Sequence, residues 1–269
     1  DRRPFSLLAM LSMMTAQTTA FGSASVPMPT NTRAPAASMF GKSDLEALAK
    51  EQNPVLGYYD PIGLADLDLW GQGEAASIGW LRHAEIKHGR VAMAAFVGYI
   101  AAANYENIGA PMASSMYPSL ASGLSAPEVW DAIPFLAKLQ IIGMVGIMEH
   151  ISEDKNFLAA DGMTHYMRGG KPGYMPTFKA NVHPMPLNLW DPFGFTKGLS
   201  AEAKAKKLNA EVNNGRLAMI GIFGFVSAGS VPGSVPALDG IIPAYSGDVM
   251  QPFNPAGPLE SIWTVGKVW

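Results

Sequence analysis

Two short segments carry the residue types that could do chemistry. Glu85-Ile86-Lys87-His88-Gly89-Arg90-Val91-Ala92-Met93 and Glu211-Val212-Asn213-Asn214-Gly215-Arg216-Leu217-Ala218-Met219 share the pattern Glu-x-x-(His/Asn)-Gly-Arg-(Val/Leu)-Ala-Met. In each, the carboxylate and the imidazole or amide three residues later lie on one helical face. Both groups are Lewis bases able to ligate a metal. The arginine, five residues beyond the glutamate, sits about 140° round the helix at 100° per residue. Gly89 and Gly215 remove side-chain bulk beside these polar groups. If two such helices cross there, Glu85 meets Arg216 and Glu211 meets Arg90. Such pairing matters most in a bilayer, where a lone charge at the centre costs roughly 2.5–3.5 kcal/mol on insertion scales.

Glu-x-x-His on a helix also belongs to dinuclear iron centres, which need two such motifs and two further glutamates in a four-helix bundle. Here the second copy has Asn214 in place of histidine, and each copy carries its own arginine, which would repel a dication. A magnesium ion already held in a neutral macrocycle fits better. Magnesium is hard and accepts oxygen or imidazole nitrogen, and in a macrocycle it needs one axial ligand from the protein.

Three segments must position these groups. Apolar stretches interrupted by few breakers predict helices over residues 77–104, 127–152 and 200–229, the last closed by Pro232. No run reads as alternating strand. Only about 12 residues of the first and third segments are continuously apolar, short of the roughly 20 of a simple membrane span. The repeat extends beyond the helices: Tyr58-Tyr59-Asp60-Pro61-Ile62-Gly63-Leu64 precedes the first copy, and Leu189-Trp190-Asp191-Pro192-Phe193-Gly194-Phe195 precedes the second. Duplication of two elements in the same order commonly builds two halves about a pseudo-two-fold axis.

Composition agrees with a membrane setting. Of 269 residues, 48% are apolar and 15% charged, against about 25% charged in soluble domains; the mean hydropathy is +0.12. A net charge of −3 argues against a nucleic-acid partner. The absence of cysteine excludes disulfides, thiolate catalysis and Cys-type zinc sites. No nucleophile–base set or phosphate loop suggests an enzyme. Residues 1–40, with Arg2 and Arg3 before an apolar run and then a Thr-, Ser-, Ala- and Pro-rich stretch, read as a targeting leader or a disordered extension. Residues 41–230 form the expected helical domain and 231–269 a loop-rich tail.

At the doubled motif, each copy behind its Asp-Pro-x-Gly loop, the chain resembles the chlorophyll-binding light-harvesting superfamily. The resemblance covers most of residues 57–229. Within that superfamily it looks like the chlorophyll a/c antennas of red-lineage plastids. The segment Tyr245-Ser246-Gly247-Asp248-Val249-Met250-Gln251-Pro252-Phe253 is similar to dinoflagellate peridinin-binding members, with diatom-type fucoxanthin proteins the nearest alternative. The resemblance implies an all-α membrane protein of three transmembrane helices, the first and third crossing about a pseudo-two-fold axis. It implies that Glu85, His88, Glu211 and Asn214 each ligate a chlorophyll magnesium, with Arg90 and Arg216 pairing the glutamates. Gln140 and Glu149 of the middle helix match ligand positions of related antennas. Nine residues apart, they lie about 13.5 Å along the axis and would serve different pigments; His150 could substitute for Glu149. The loops at Asp60, Pro61, Gly63 and at Asp191, Pro192, Gly194 would cap two carotenoids.

The implied cofactors are chlorophyll a, chlorophyll c and a carotenoid, peridinin or else diadinoxanthin or fucoxanthin. The implied partners are a photosystem core, most readily photosystem I, neighbouring antenna subunits and the lipids of the plastid thylakoid membrane. The resemblance implies no enzymatic activity; a photoprotective, energy-dissipating relative is the alternative. Two departures from the family pattern stand out. Ala228 occupies a position where many members carry a glutamine ligand, leaving Ser227, water or lipid for that role. No histidine follows His183, so the C-terminal histidine site of green-plant members is not expected. His83 and His165 are expected at the surface or in loops.

Overall fold

The computed structural model describes residues 41–103, 124–177, 191, 193–195, 197–248 and 252–253. The chain divides into two units, residues 1–37 and 38–269, and the described residues all lie in the second. The expected leader at residues 1–40 lies outside them. Among the described residues there is no strand, and six α-helices follow in order: α1, Lys42–Gln52; α2, Glu74–Ala103; α3, Ala126–Ala132; α4, Phe135–Glu153; α5, Lys155–Ala160; and α6, Ala201–Ser230. Three 3₁₀ turns intervene at Leu64–Asp66, Tyr166–Arg168 and Pro236–Leu238.

The helix ends follow local chemistry. Ser200 caps α6, its hydroxyl accepting from the Ala203 N–H at 3.2 Å, and satisfies a donor the helix leaves orphaned. Ser125 and Glu128 form a capping box at α3. The second expected helix, 127–152, is two helices. Pro134 lacks the amide hydrogen that a continuing helix requires, and its ring forces Ile133 to extended backbone. α3 therefore stops at Ala132 and α4 begins at Phe135.

At 30 residues each, α2 and α6 are about 45 Å long. They pack against each other across the glycines of the repeat. A Cβ built on Gly89 would lie 3.1 Å from Gly215 Cα, and one on Gly215 would lie 2.9 Å from Gly89 Cα. Both obstacles are backbone, so neither can turn aside. Further along, Phe96 stacks on Phe225 with centroids 4.9 Å apart, and Tyr99 tilts against the same ring at 5.1 Å. Phe96 also fills the space over Gly221, where a Cβ would meet its ring at 2.9 Å.

Of the described helices, α4 is the one long and apolar enough by composition to cross a membrane. Only 11% of its apolar window is buried within the protein, so it is not the core helix of a soluble fold. Leu136, Ile141, Met144, Val145 and Ile147 face outward, as do Val91 and Val97 of α2 and Leu217, Ile220 and Phe223 of α6. So much apolar surface on all three long helices needs an apolar environment.

The crossing is directly testable. Gly215→Ala should cost roughly 1–3 kcal/mol through overpacking and sharply lower refolding yield. Gly98→Ala and Gly224→Ala, where a Cβ would meet nothing within 4 Å, should fold as well as the wild type when pigment is left out. Circular dichroism and size-exclusion profiles of refolded protein read the difference.

Candidate functional site

At the crossing, the two copies of the motif face each other. Arg90 Nε donates to Glu211 Oε1 at 2.6 Å. Arg216 Nε donates to Glu85 Oε1 at 2.7 Å, and a terminal guanidinium nitrogen reaches the same oxygen at 2.6 Å. The reciprocal pairing expected from the sequence is present. Both pairs are only partly exposed and flank the Gly89–Gly215 contact.

The two pairs are not equivalent. Arg82, one turn before Glu85, also binds Glu85 through Oε2. The repeat puts Leu208 at the matching place in α6. Glu85 thus has two cations and Glu211 has one among the described residues, with Oε2 of Glu211 left without a hydrogen bond. Arg90 carries a further duty, since its guanidinium donates to the Gly173 carbonyl at 2.6 Å.

That second role of Arg90 exposes a residue the sequence reading misplaced. His83 is not at the surface. It is 4% exposed, stacked on Tyr166 at 3.9 Å, and its Nδ1 accepts from the Gly173 N–H at 3.0 Å. Both polar atoms of the Gly173 peptide are therefore held by α2, one by His83 and one by Arg90. Gly173 has φ +73, and a Cβ there would lie 2.6 Å from Ile86 Cγ2, so glycine is required on both counts. The available signal was the spacing: His83 and Arg90 are seven residues apart, about two helical turns, and share a face.

The imidazole and the amide of the motif point outward, unlike its glutamates. His88 is exposed, and its Nδ1 lies 2.7 Å from the Ala84 carbonyl oxygen. A carbonyl only accepts, so Nδ1 carries a proton, and in the neutral imidazole Nε2 then keeps its lone pair. Asn214 is exposed at the matching place on α6. On α4, Gln140 and Glu149 are exposed, and Glu149 is also ion-paired with Lys87 of α2. Ala228 is buried. No group of three or more His, Asp or Glu side chains gathers as a metal centre among the described residues, whereas a dinuclear centre needs its ligands clustered.

The loops before α2 and α6 repeat in three dimensions too. Asp60 Oδ1 accepts from the Leu64 N–H at 3.0 Å, and Asp191 Oδ1 accepts from the Phe195 N–H at 2.8 Å. Gly63 and Gly194 follow at φ +71 and +73. The N–H groups of Ala65 and Leu64 hold the Asp60 carboxyl below its ordinary range. Pro61 is exposed; Pro192 and His183 lie outside the described residues.

The site is thus a duplicated helix crossed on itself by reciprocal carboxylate–guanidinium pairs, with His88 and Asn214 exposed outside the crossing. The model of the chlorophyll A-B binding protein family matches residues 44–229, and the chain belongs to that family, whose members are light-harvesting pigment-binding proteins and not enzymes. It is 30% identical over 232 residues to the chloroplastic fucoxanthin-chlorophyll a-c binding protein of Trieres chinensis, covering 85% of this chain and 97% of that one. It is 30% identical over 189 residues to the B protein of that name from Phaeodactylum tricornutum, covering 70% and 78%. With the E protein of Macrocystis pyrifera it shares 34% over 172 residues, 63% of this chain and 67% of the other.

The inequality of the two ion pairs gives a prediction. Arg90→Leu strands Glu211 and releases Gly173; breaking a fully buried pair costs on the order of 3–5 kcal/mol, the upper bound for this partly exposed one. Arg216→Leu leaves Glu85 with Arg82 and should be clearly milder. Combining Arg90→Leu with Glu211→Gln should recover part of the lost refolding yield, because no bare carboxylate remains. Equal damage from the two arginine substitutions would contradict the asymmetry.

Proposed function

We propose that this protein is a light-harvesting antenna of the plastid thylakoid membrane, with α2, α4 and α6 crossing the bilayer and α2 and α6 related by a pseudo-two-fold axis. The observation that carries the reading is the crossed pairing of Glu85 with Arg216 and Glu211 with Arg90. It neutralises four charges where both helices are otherwise lined by outward apolar side chains, and it leaves carboxylate oxygen available to a metal at Glu211.

In this reading Glu85, His88, Glu211 and Asn214 hold four chlorophyll magnesium ions on the crossed pair, and Gln140 and Glu149 hold two on α4. At Glu85, a magnesium would compete with Arg82 for Oε2. The fit rests on the free Nε2 of His88, on the single standing of each ligand, and on open space at Gly98 and Gly224. Those two glycines hold matching places in the repeat, and nothing within the protein requires them to be glycine. Carotenoids would lie beside the crossing, capped by the loops at Asp60 and Asp191.

Chlorophyll a, chlorophyll c and carotenoid are the pigments this reading assigns, following the names of the relatives and the motif. The relatives support fucoxanthin as the carotenoid, and the segment around Tyr245 supports peridinin. When bound, the pigments absorb light and pass excitation between transition dipoles by Coulombic coupling. The protein's part is to fix their positions and orientations and to exclude water, with photosystem I and neighbouring antennas as recipients.

His88→Ala should lower the chlorophyll-to-protein ratio of reconstituted protein by about one and spare the rest, because the imidazole takes no part in the ion pairs. Unchanged stoichiometry would remove His88 from the ligand set. Fluorescence lifetime of the pigmented wild type separates an antenna, which fluoresces for nanoseconds, from a dissipating relative with a much shortened lifetime.

A further inference from the structure

The position between the glutamate and the ligand of each motif differs in kind between the two copies, Lys87 in α2 and Asn213 in α6. Each reaches sideways, away from the crossing. Lys87 Nζ is ion-paired with Glu149 of α4, lies 3.2 Å from Ser152 Oγ and lies 3.4 Å from Glu153 Oε1. Ser152 is itself buried and donates to the Glu149 carbonyl at 2.7 Å. Asn213 Nδ2 instead donates to the Gln52 carbonyl at the end of α1, at 3.2 Å, and Asn209 adds a bond to Glu51 at 2.7 Å. Equivalent places on the two halves thus hold different neighbours: the long apolar α4 on one side, the short polar α1 on the other.

α4 needs such a joint. Most of its surface faces outward, so apolar packing does not fix its distance from α2. Its polar attachments lie near its ends. Around Phe135, Lys138 Nζ donates to the Asp131 carbonyl at 3.1 Å, a bond to the neighbouring α3. At its C-terminal end stand Lys87, Glu149, Ser152 and Glu153, with the Tyr166 hydroxyl 3.3 Å from Glu153. Glu149 uses one carboxylate oxygen for Lys87, and the other accepts no hydrogen bond among the described residues. The ammonium group of Lys87 on one oxygen fixes the direction of the second.

We propose that Lys87 is the positioning residue for the magnesium site at Glu149: it docks α4 on α2 and orients the Glu149 carboxylate, a role the repeat withholds from Asn213. The assignment of a pigment to Glu149 rests on the antenna reading above; the docking of α4 by Lys87 does not.

The test uses the full chain refolded with and without a chlorophyll a, chlorophyll c and carotenoid extract. Spin labels at Ala94 of α2 and Met144 of α4, both exposed, report the separation of the two helices by pulsed dipolar spectroscopy. Lys87→Met should broaden and lengthen that distance and lose one chlorophyll, with its band in the circular dichroism spectrum, while the pigment at His88 stays. Lys87→Arg should restore both. The exchange of Lys87→Glu with Glu149→Lys should restore the distance relative to Lys87→Glu alone, yet leave the chlorophyll missing. An unchanged distance and stoichiometry in Lys87→Met overturns the proposal. Recovery of the chlorophyll in the exchanged variant overturns the positioning of a Glu149 ligand. If Lys87→Met does not refold, the comparison of the exchanged variant with Lys87→Glu decides the docking. If wild type takes up no chlorophyll, the antenna reading fails, and the distances measured without pigment still decide whether Lys87 docks α4.

Discussion

The fold depends on one close approach, the backbone contact of Gly89 with Gly215 between α2 and α6. It brings Arg90 and Arg216 within reach of Glu211 and Glu85, and neither pair could form if the axes stood a side chain further apart. The dependence runs both ways. Four charges brought to the middle of a tight helix crossing would resist desolvation if unpaired, and their pairing makes the close crossing tolerable. Packing and electrostatics are satisfied by the same few atoms, so the glycine and the arginine stand side by side in both copies of the motif.

From that crossing the other elements take their places. Arg90 reaches past Glu211 to the Gly173 carbonyl while His83 holds the Gly173 amide, so the segment after α5 is fastened across α2. Tyr166, stacked on His83, extends the same attachment towards Glu153 at the end of α4. At the opposite end of α6, the Tyr245 N–H bonds to the Gly229 carbonyl at 2.9 Å and the Tyr245 hydroxyl to Asp131 of α3 at 2.7 Å. Burial, and then that hydrogen bond, push the Tyr245 hydroxyl up to about 12. The chain after α6 is thereby folded back onto α3 and helps to place the start of α4.

The duplication is exact enough to generate the crossing and inexact where function diverges. Arg82 against Leu208, Lys87 against Asn213 and His88 against Asn214 are the places where the halves part. The first gives Glu85 a second cation, the second selects a lateral neighbour, and the third presents an imidazole on one half and an amide on the other. A perfectly symmetrical dimer of the motif would offer two copies of one environment. The divergent positions offer several.

The sequence by itself determined the helices that carry the motif, the crossed ion pairs and the equivalence of the Asp60 and Asp191 turns. All of these follow from short-range rules: which residues share a helical face, where a proline or serine ends a helix, and what an internal repeat implies. The sequence placed one middle helix where Pro134 makes two, a signal that was present at a single residue and outweighed by the apolar run around it. The second cation on Glu85, Arg82 at i,i+3 on the same helix, was legible in the spacing, whereas the burial of His83, the double fastening of Gly173 and the partner of Lys87 were decided by tertiary structure. Each joins residues whose meeting depends on how α2 lies against a loop, on which rotamer a long cation adopts, or on where α4 stands. Spacing along one helix carries no information about a partner 62 or 90 residues away; that information exists only once the glycine contact has fixed the axes.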